Sequence, residues 1–166
     1  MIAKFKITDE DLIAQQRNAL KHTKYFKRHR IAYLMVYVIL FLFVLYVADL
    51  LEDIYIVISI FIILLPFVWI ALGRAILRGT KRVLKQRMNK VGIFTLKLSD
   101  AGLTKESSYL TEKIHWDDIK MFQEDSERYF LYLTDLIAIT IKKNPDNLNE
   151  KETLEYQAFI KRKAHN

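Results

Sequence analysis

Ile31–Ala48, IAYLMVYVILFLFVLYVA, and Ile54–Gly73, IYIVISIFIILLPFVWIALG, contain no charged residue and decide how the rest of the chain is read. At about 1.5 Å rise per residue the first run spans roughly 27 Å as a helix and the second roughly 30 Å, close to the ~30 Å hydrocarbon core of a bilayer. Only Asp49-Leu50-Leu51-Glu52-Asp53 lies between them. Two spanning helices joined by so short a turn are antiparallel neighbours. The competing reading, two buried helices of a soluble core, would leave that core without amphipathic partners. A cleaved signal peptide fits poorly too: the first run starts thirty residues in, exceeds an ordinary h-region and lacks a small-x-small cleavage site. It reads as an anchor.

Charge orients this hairpin. Lys21, Lys24, Lys27, Arg28 and Arg30 precede the first run, and Arg74, Arg78, Lys81, Arg82, Lys85, Arg87 and Lys90 follow the second. The only charges on the connecting turn are the acids Asp49, Glu52 and Asp53. Lys and Arg are retained on the cytoplasmic side during insertion, so the expectation is a multi-pass protein of the inner (plasma) membrane with both termini cytoplasmic. Lys24, Lys27, Arg28, Arg30, Arg74, Arg78, Lys81 and Arg82 are the expected membrane-surface contacts, at about 1 kcal/mol each against an anionic inner leaflet. No specific lipid follows, and the juxtamembrane position argues against nucleic acid as the partner of these cations.

The chain-wide averages hide this segregation. The protein has 166 residues, a formal charge of +7 and a hydrophobic fraction of 52%, with mean hydropathy near zero. The absence of cysteine excludes disulfides, thiol catalysis and thiolate metal sites. Within the apolar runs there is no Asp, Glu, Lys, Arg or His, and Ser59 is the main polar side chain. Proton relays and substrate paths need ionisable groups facing a cavity, so a transporter or channel built from this chain alone is not expected. No Gly-xxx-Gly face supports a close right-handed dimer crossing. Tyr46, Tyr55 and Trp69 sit near the ends of the runs, where aromatic rings anchor at headgroups, and Pro66 interrupts the second.

The flanks divide the chain into four parts. Residues 1–30 form a cytosolic arm, 31–73 the hairpin with its turn at 49–53, 74–90 a basic juxtamembrane helix, and 91–166 a cytosolic domain. In the arm, Ala3-Lys4-Phe5-Lys6-Ile7 alternates like a strand able to join the C-terminal sheet. Thr8 with Asp9, Glu10 and Asp11 marks a helix start, followed by an apolar stripe through Leu12, Ile13, Gln16, Ala19, Leu20, Thr23 and Phe26.

From Val91 the texture changes to short alternating segments. Gly92–Leu98, Leu103–Leu110, Lys113–Trp116, Ile119–Glu124, Tyr129–Leu133 and Ile137–Ile141 read as strands, with turns at Ser99–Gly102 and Thr134-Asp135. After Asn144-Pro145-Asp146 comes a helix of about twenty residues carrying Leu148, Leu154, Phe159 and Ile160. The expected fold is therefore a membrane α-hairpin plus a cytosolic α+β domain, an antiparallel small barrel or sheet capped by a C-terminal helix.

Ile7-Thr8-Asp9-Glu10-Asp11, the two apolar runs, Leu98-Ser99-Asp100-Ala101-Gly102-Leu103, Ile114-His115-Trp116-Asp117-Asp118-Ile119 and Ala138-Ile139-Thr140-Ile141-Lys142-Lys143 occur in that order. This order resembles the YcxB-like membrane proteins of bacteria, over essentially the whole chain and most specifically over Lys113–Ile119. The resemblance implies a pleckstrin-homology-like soluble domain. It brings no catalytic residues and no activity.

Trp116, Asp117 and Asp118 are the candidate interaction corner. Paired acids can bind a metal or act as acid and base, but no third ligand lies near and His115 is the only histidine of the domain besides His165. A corner in which Trp116 packs inward while the acids cap a tight turn accounts for the same residues. His22 and His29 belong to the basic arm, and no phosphate loop, nucleophile elbow or zinc spacing occurs. Neither a catalytic residue nor a cofactor or metal site is assigned. The functional expectation is a non-enzymatic inner-membrane protein acting by protein–protein interaction, in its sharpest form an immunity protein against a membrane-acting toxin. The alternatives are an accessory or regulatory subunit of a larger membrane complex and a lipid-headgroup-reading module. The protein partner and the oligomeric state are open.

Overall fold

A computed structural model describes residues 1–47, 54–86, 92–108 and 110–164, with the side chains of 47, 54, 72 and 76–86 left undescribed. The acidic turn at 49–53, residues 87–90 and His165 therefore lie outside the described residues, as do the side chains of Arg78, Lys81 and Arg82.

The chain opens with strand β1 (Ile2–Ile7), whose alternation turns Ala3, Phe5 and Ile7 inward and Lys4 and Lys6 outward. Helix α1 (Asp9–His22) follows. Its start is set by the Asp11 carboxylate, which accepts the Thr8 backbone N–H at 2.8 Å and the Thr8 hydroxyl at 3.1 Å. The expected stripe does not continue as one helix. Thr23 is extended (φ −79°, ψ 146°), fully buried, and donates both its N–H and its hydroxyl to the Ala19 carbonyl. That back-bonding offers the backbone an alternative to continued helix, and a new helix, α2 (Lys24–Val47), begins immediately after it.

Helix α3 (Ile54–Gln86) carries the second apolar run and extends well beyond Gly73, with Pro66 inside it. Both helices are long and apolar enough to cross a membrane. Their side chains are exposed: only 6% of the apolar window in α2 and none of that in α3 is buried inside the molecule. A soluble core helix would show the reverse. Contacts between the two run antiparallel. Arg30 lies 5.1 Å over the Trp69 ring, Tyr37 stacks on Phe61 at 4.7 Å, and Phe41 meets Phe61 at 4.0 Å.

The remaining elements are strands β2 (Gly92–Leu98), β3 (Gly102–Glu106) and β4 (Thr111–His115), a single 3-10 turn at Trp116–Asp118, strands β5 (Met121–Glu124), β6 (Arg128–Tyr132) and β7 (Ala138–Lys142), and helix α4 (Glu150–Ala164). They form two antiparallel sheets, β1-β2-β3-β4 and β5-β6-β7, rather than one closed ring. The first strand pairs with β2 from Ile2 opposite Lys97 to Ile7 opposite Gly92, so the strand before the apolar helices joins the sheet after them. The polar strand ends at Glu106 instead of Leu110, because the Ser107 hydroxyl and backbone close a turn onto Leu110.

Both sheets share one core. Phe5, Ile7, Leu96, Leu103, Leu131 and Ile141 are fully buried there, together with Tyr156 and Ile160 of α4. That helix has fifteen residues, not twenty, because Asn149 and Glu152 form a reciprocal cap (3.0 and 2.9 Å) that fixes its first turn at Glu150. Its side chains close one side of the sandwich, with the Tyr156 hydroxyl donating to the Lys142 carbonyl at 3.0 Å. Phe5→Ala is expected to cost about 3–5 kcal/mol of the sandwich's stability. Thermal unfolding of the detergent-solubilised protein checks this, and an unchanged midpoint would show that β1 is dispensable.

Candidate functional site

Two places concentrate side-chain chemistry: the seam where α1 lies on the second sheet, and the corner at Trp116.

The seam is built around Asp11, a carboxylate only 1% exposed. Arg128, at the start of β6, donates from Nε to Asp11 Oδ1 at 2.6 Å, and Lys142, at the end of β7, stands 3.6 Å from Oδ2. Burial alone raises the Asp11 pKa, but the bonds from Arg128 and Thr8 and the charge of Lys142 outweigh it and hold the group below its ordinary value. The Arg128 guanidinium also reaches Asp125 at 3.2 Å and Glu127 at 2.9 Å. Burial lowers its pKa, while Asp11 first and then Asp125 raise it through hydrogen bonds and charge, with a net upward result. Further along the helix, Gln15 Oε1 accepts the Thr140 hydroxyl (2.8 Å) and Asn18 Oδ1 the Tyr132 hydroxyl (2.9 Å). Ala19, Leu20 and Phe26 then pack on Phe130 and Tyr132 in a second apolar cluster. At the far end, the Asp135 carboxylate of the β6–β7 loop accepts the Tyr25 backbone N–H at 2.8 Å, capping the first turn of α2 from another element.

The membrane-surface cations expected from the sequence gather only in part. Lys24, Lys27, Arg28 and Arg74 are exposed, and among the described residues none forms an ion pair. Arg30 is half-buried over Trp69. Beside them, His22 has its pKa lowered first by burial and then by Lys21 and Lys27.

At the corner, Trp116 is buried and its indole N–H donates to the Ser99 carbonyl at 2.9 Å, while its ring meets Phe159 of α4 at 6.1 Å. Asp118 accepts the His115 backbone N–H at 3.3 Å, which holds the 3-10 turn. Asp117 is exposed. Trp116, Asp117 and Ile119, together with Asp100 and Lys163, line a shallow cavity of about 370 Å³, where Lys163 pairs with Asp100 at 2.9 Å. Lys163 bonding and charge hold Asp100 below its ordinary pKa. Gly102 packs so closely on this hairpin that an added Cβ would fall on the Ile114 carbonyl oxygen. The geometry is that of a locked turn: the indole welds the β2–β3 loop to α4. Among the described residues, no group of three His, Asp or Glu side chains gathers to hold a metal.

Sequence reading missed the part played by Asp11, Arg128 and Asp135. The Thr8-to-Asp11 spacing was visible as a helix start, but partners 117 residues away leave no local signal.

Comparison with known families matches residues 98–160 to the family described as YcxB-like protein. The match runs from the end of β2 to Ile160 and so holds β3 to β7, the Trp116 turn and most of α4, but neither apolar helix nor β1. No curated protein and no solved structure matches the chain.

Removing one partner of a buried ion pair leaves an uncompensated charge, so Arg128→Ala is expected to cost about 3–5 kcal/mol in denaturant unfolding. A depressed carboxylate pKa contributes stability that is complete above the ordinary value of 3.8 and is lost as pH falls through the lower folded value. Asp11→Asn should flatten that acid limb, and an unchanged limb would place the acid sensitivity elsewhere. At the corner, Trp116→Ala should cost about 3–5 kcal/mol and Asp117→Ala less than about 0.5 kcal/mol in the same measurement.

Proposed function

We propose that this chain, YcxB-like over residues 98–160, is a non-enzymatic membrane protein that presents a small interaction domain at the cytoplasmic face. In this reading α2 and α3 form a transmembrane hairpin with both termini inside, and the two sheets with α4 are a pleckstrin-homology-like sandwich. The observation that carries it is the pairing of β1 with β2. If α2 and α3 both cross a bilayer, that pairing requires their flanks to lie on the same side, as an antiparallel hairpin demands. The cations flanking the two helices support the cytoplasm as that side.

The action proposed is protein–protein interaction. The seam at Asp11 holds α1 on the second sheet and Asp135 ties the start of α2 to the β6–β7 loop, which suits a module that holds a partner at the membrane rather than one that moves substrate. The narrowest form is immunity against a toxin acting on the cell's own membrane. It is tested by expressing the protein in a sensitive strain with toxins encoded beside its gene: protection supports immunity and its absence for every neighbour rejects it. A partner that co-purifies in mild detergent in stoichiometric amount would favour an accessory or regulatory subunit. A requirement for anionic lipid instead of protein would favour a headgroup reader.

Topology is checked separately, because the natural chain has no cysteine to interfere. Asp49→Cys should react with a membrane-impermeant maleimide in intact cells, whereas Leu154→Cys should react only after permeabilisation. The opposite pattern would invert the orientation.

A further inference from the structure

The loop between β6 and β7 (residues 133–137) exposes two adjacent large apolar side chains, Leu136 at 58% and Ile137 at 56%. Packing does not shape this tip. The Thr134 hydroxyl accepts the backbone N–H groups of Leu136 (3.3 Å) and Ile137 (3.0 Å), and the Leu133 N–H donates to the Ile137 carbonyl at 2.9 Å. The loop is thus a rigid turn holding two apolar groups out, a feature that calls for a partner.

Its position points to one. Asp135, inside the same loop, caps the first turn of α2 through Tyr25. From Tyr25 to Ile31, where the uncharged run begins, is six residues, or about 9 Å along the helix axis. That is comparable with the roughly 5–8 Å headgroup layer on one side of a bilayer. A second exposed apolar residue lies alongside. Leu110, 55% exposed on the β3–β4 hairpin, lines with Ile137 a cleft of about 370 Å³ whose walls include Phe94, Ile114, Leu133 and Ile139. Lys113, exposed on β4, stands at the same cleft. The opposite edge of that sheet meets the chain beyond the other end of β7: the Asp146 N–H of the β7–α4 loop donates to the Lys4 carbonyl of β1 at 2.7 Å. Leu110 shares its cleft with Ile137, and the loop that carries Ile137 caps α2 through Asp135, so Leu110 lies on the side of the α2 start.

We infer that Leu136, Ile137 and Leu110 insert into the headgroup–acyl boundary of the bilayer that α2 and α3 cross. The open end of the sandwich then rests on the membrane surface and its cleft faces lipid. The inference depends on the membrane-hairpin reading above. It adds a second, peripheral contact that fixes the domain's attitude to the bilayer, as an apolar tip flanked by cations does for other interfacial segments.

The test uses the full-length protein reconstituted in phosphatidylcholine vesicles containing about one third phosphatidylglycerol. Single cysteines replace Leu136, Leu110, Ile39 in the first apolar run, or Leu154, which is 67% exposed on α4, and each is labelled with an environment-sensitive fluorophore. Lipids carrying a shallow nitroxide should quench the Leu136→Cys and Leu110→Cys probes about twofold and leave Leu154→Cys bright. A quenched Ile39→Cys probe with bright Leu136→Cys and Leu110→Cys probes would overturn the inference and leave the hairpin standing. A bright Ile39→Cys probe, tested with both shallow and deep nitroxides, would overturn both.

Discussion

The buried carboxylate of Asp11 is the constraint on which the arrangement of this molecule rests. A charge taken out of water costs several kcal/mol unless hydrogen bonds and opposite charges compensate it. Here the compensation comes from three directions: Thr8 before it, Arg128 on β6 and Lys142 on β7. The cap from Thr8 is local, but Arg128 and Lys142 reach Asp11 only when α1 lies along the second sheet in one register. Once it does, Gln15 and Asn18 meet Thr140 and Tyr132, and Leu20 and Phe26 reach Phe130. The direction in which the chain leaves α1 for α2 is then set by the turn at Thr23.

That direction matters because the apolar helices are inserted within a sheet, between β1 and β2. Residues 8–91 separate the paired ends Ile7 and Gly92. Closing a flexible loop of that length would cost about 4 kcal/mol beyond the constant part. Three helices occupy most of the insertion, so far fewer joints have to be ordered. The same pairing is incompatible with an odd number of crossings, which would leave β1 and β2 on opposite sides of a bilayer. In the proposed membrane setting, sheet and helices restrict each other: the sheet requires an even number of crossings, and the two helices long and apolar enough to cross would supply it.

Legibility in the sequence followed the range of each interaction. The apolar runs, the alternation of β1 and the strands from Gly92 to Ile141 are periodic, and the structure places strands within a few residues of those readings. The inward Trp116 and the acid-capped turn were readable because the cap spans only three residues. Local competition escaped: the Thr23 hydroxyl ends a helix whose apolar stripe continues, and the Asn149–Glu152 cap starts α4 later than its composition suggests. Distance in sequence hid the rest. Asp11 with Arg128 and Tyr25 with Asp135 are each more than a hundred residues apart, and nothing local distinguishes those acids from ordinary solvated ones.

The first turn of α2 breaks a local rule in a way that bears on function. Helix N-termini carry a partial positive charge and favour acids, with unfavourable cations costing roughly 0.3–1 kcal/mol each. This helix has no acid in its first turn, and instead places Lys24 and Lys27 there and Arg28 just after it, all exposed. Asp135 supplies a single negative charge from another element, at Tyr25. One carboxylate does not balance three cations and a helix dipole, and the described residues bring no other acid to them. In the proposed setting the remaining countercharge is lipid phosphate. In that setting a cluster that is electrostatically unfavourable in isolation gains from an anionic surface, and the cations expected to orient the helices would also draw the start of α2 to the membrane.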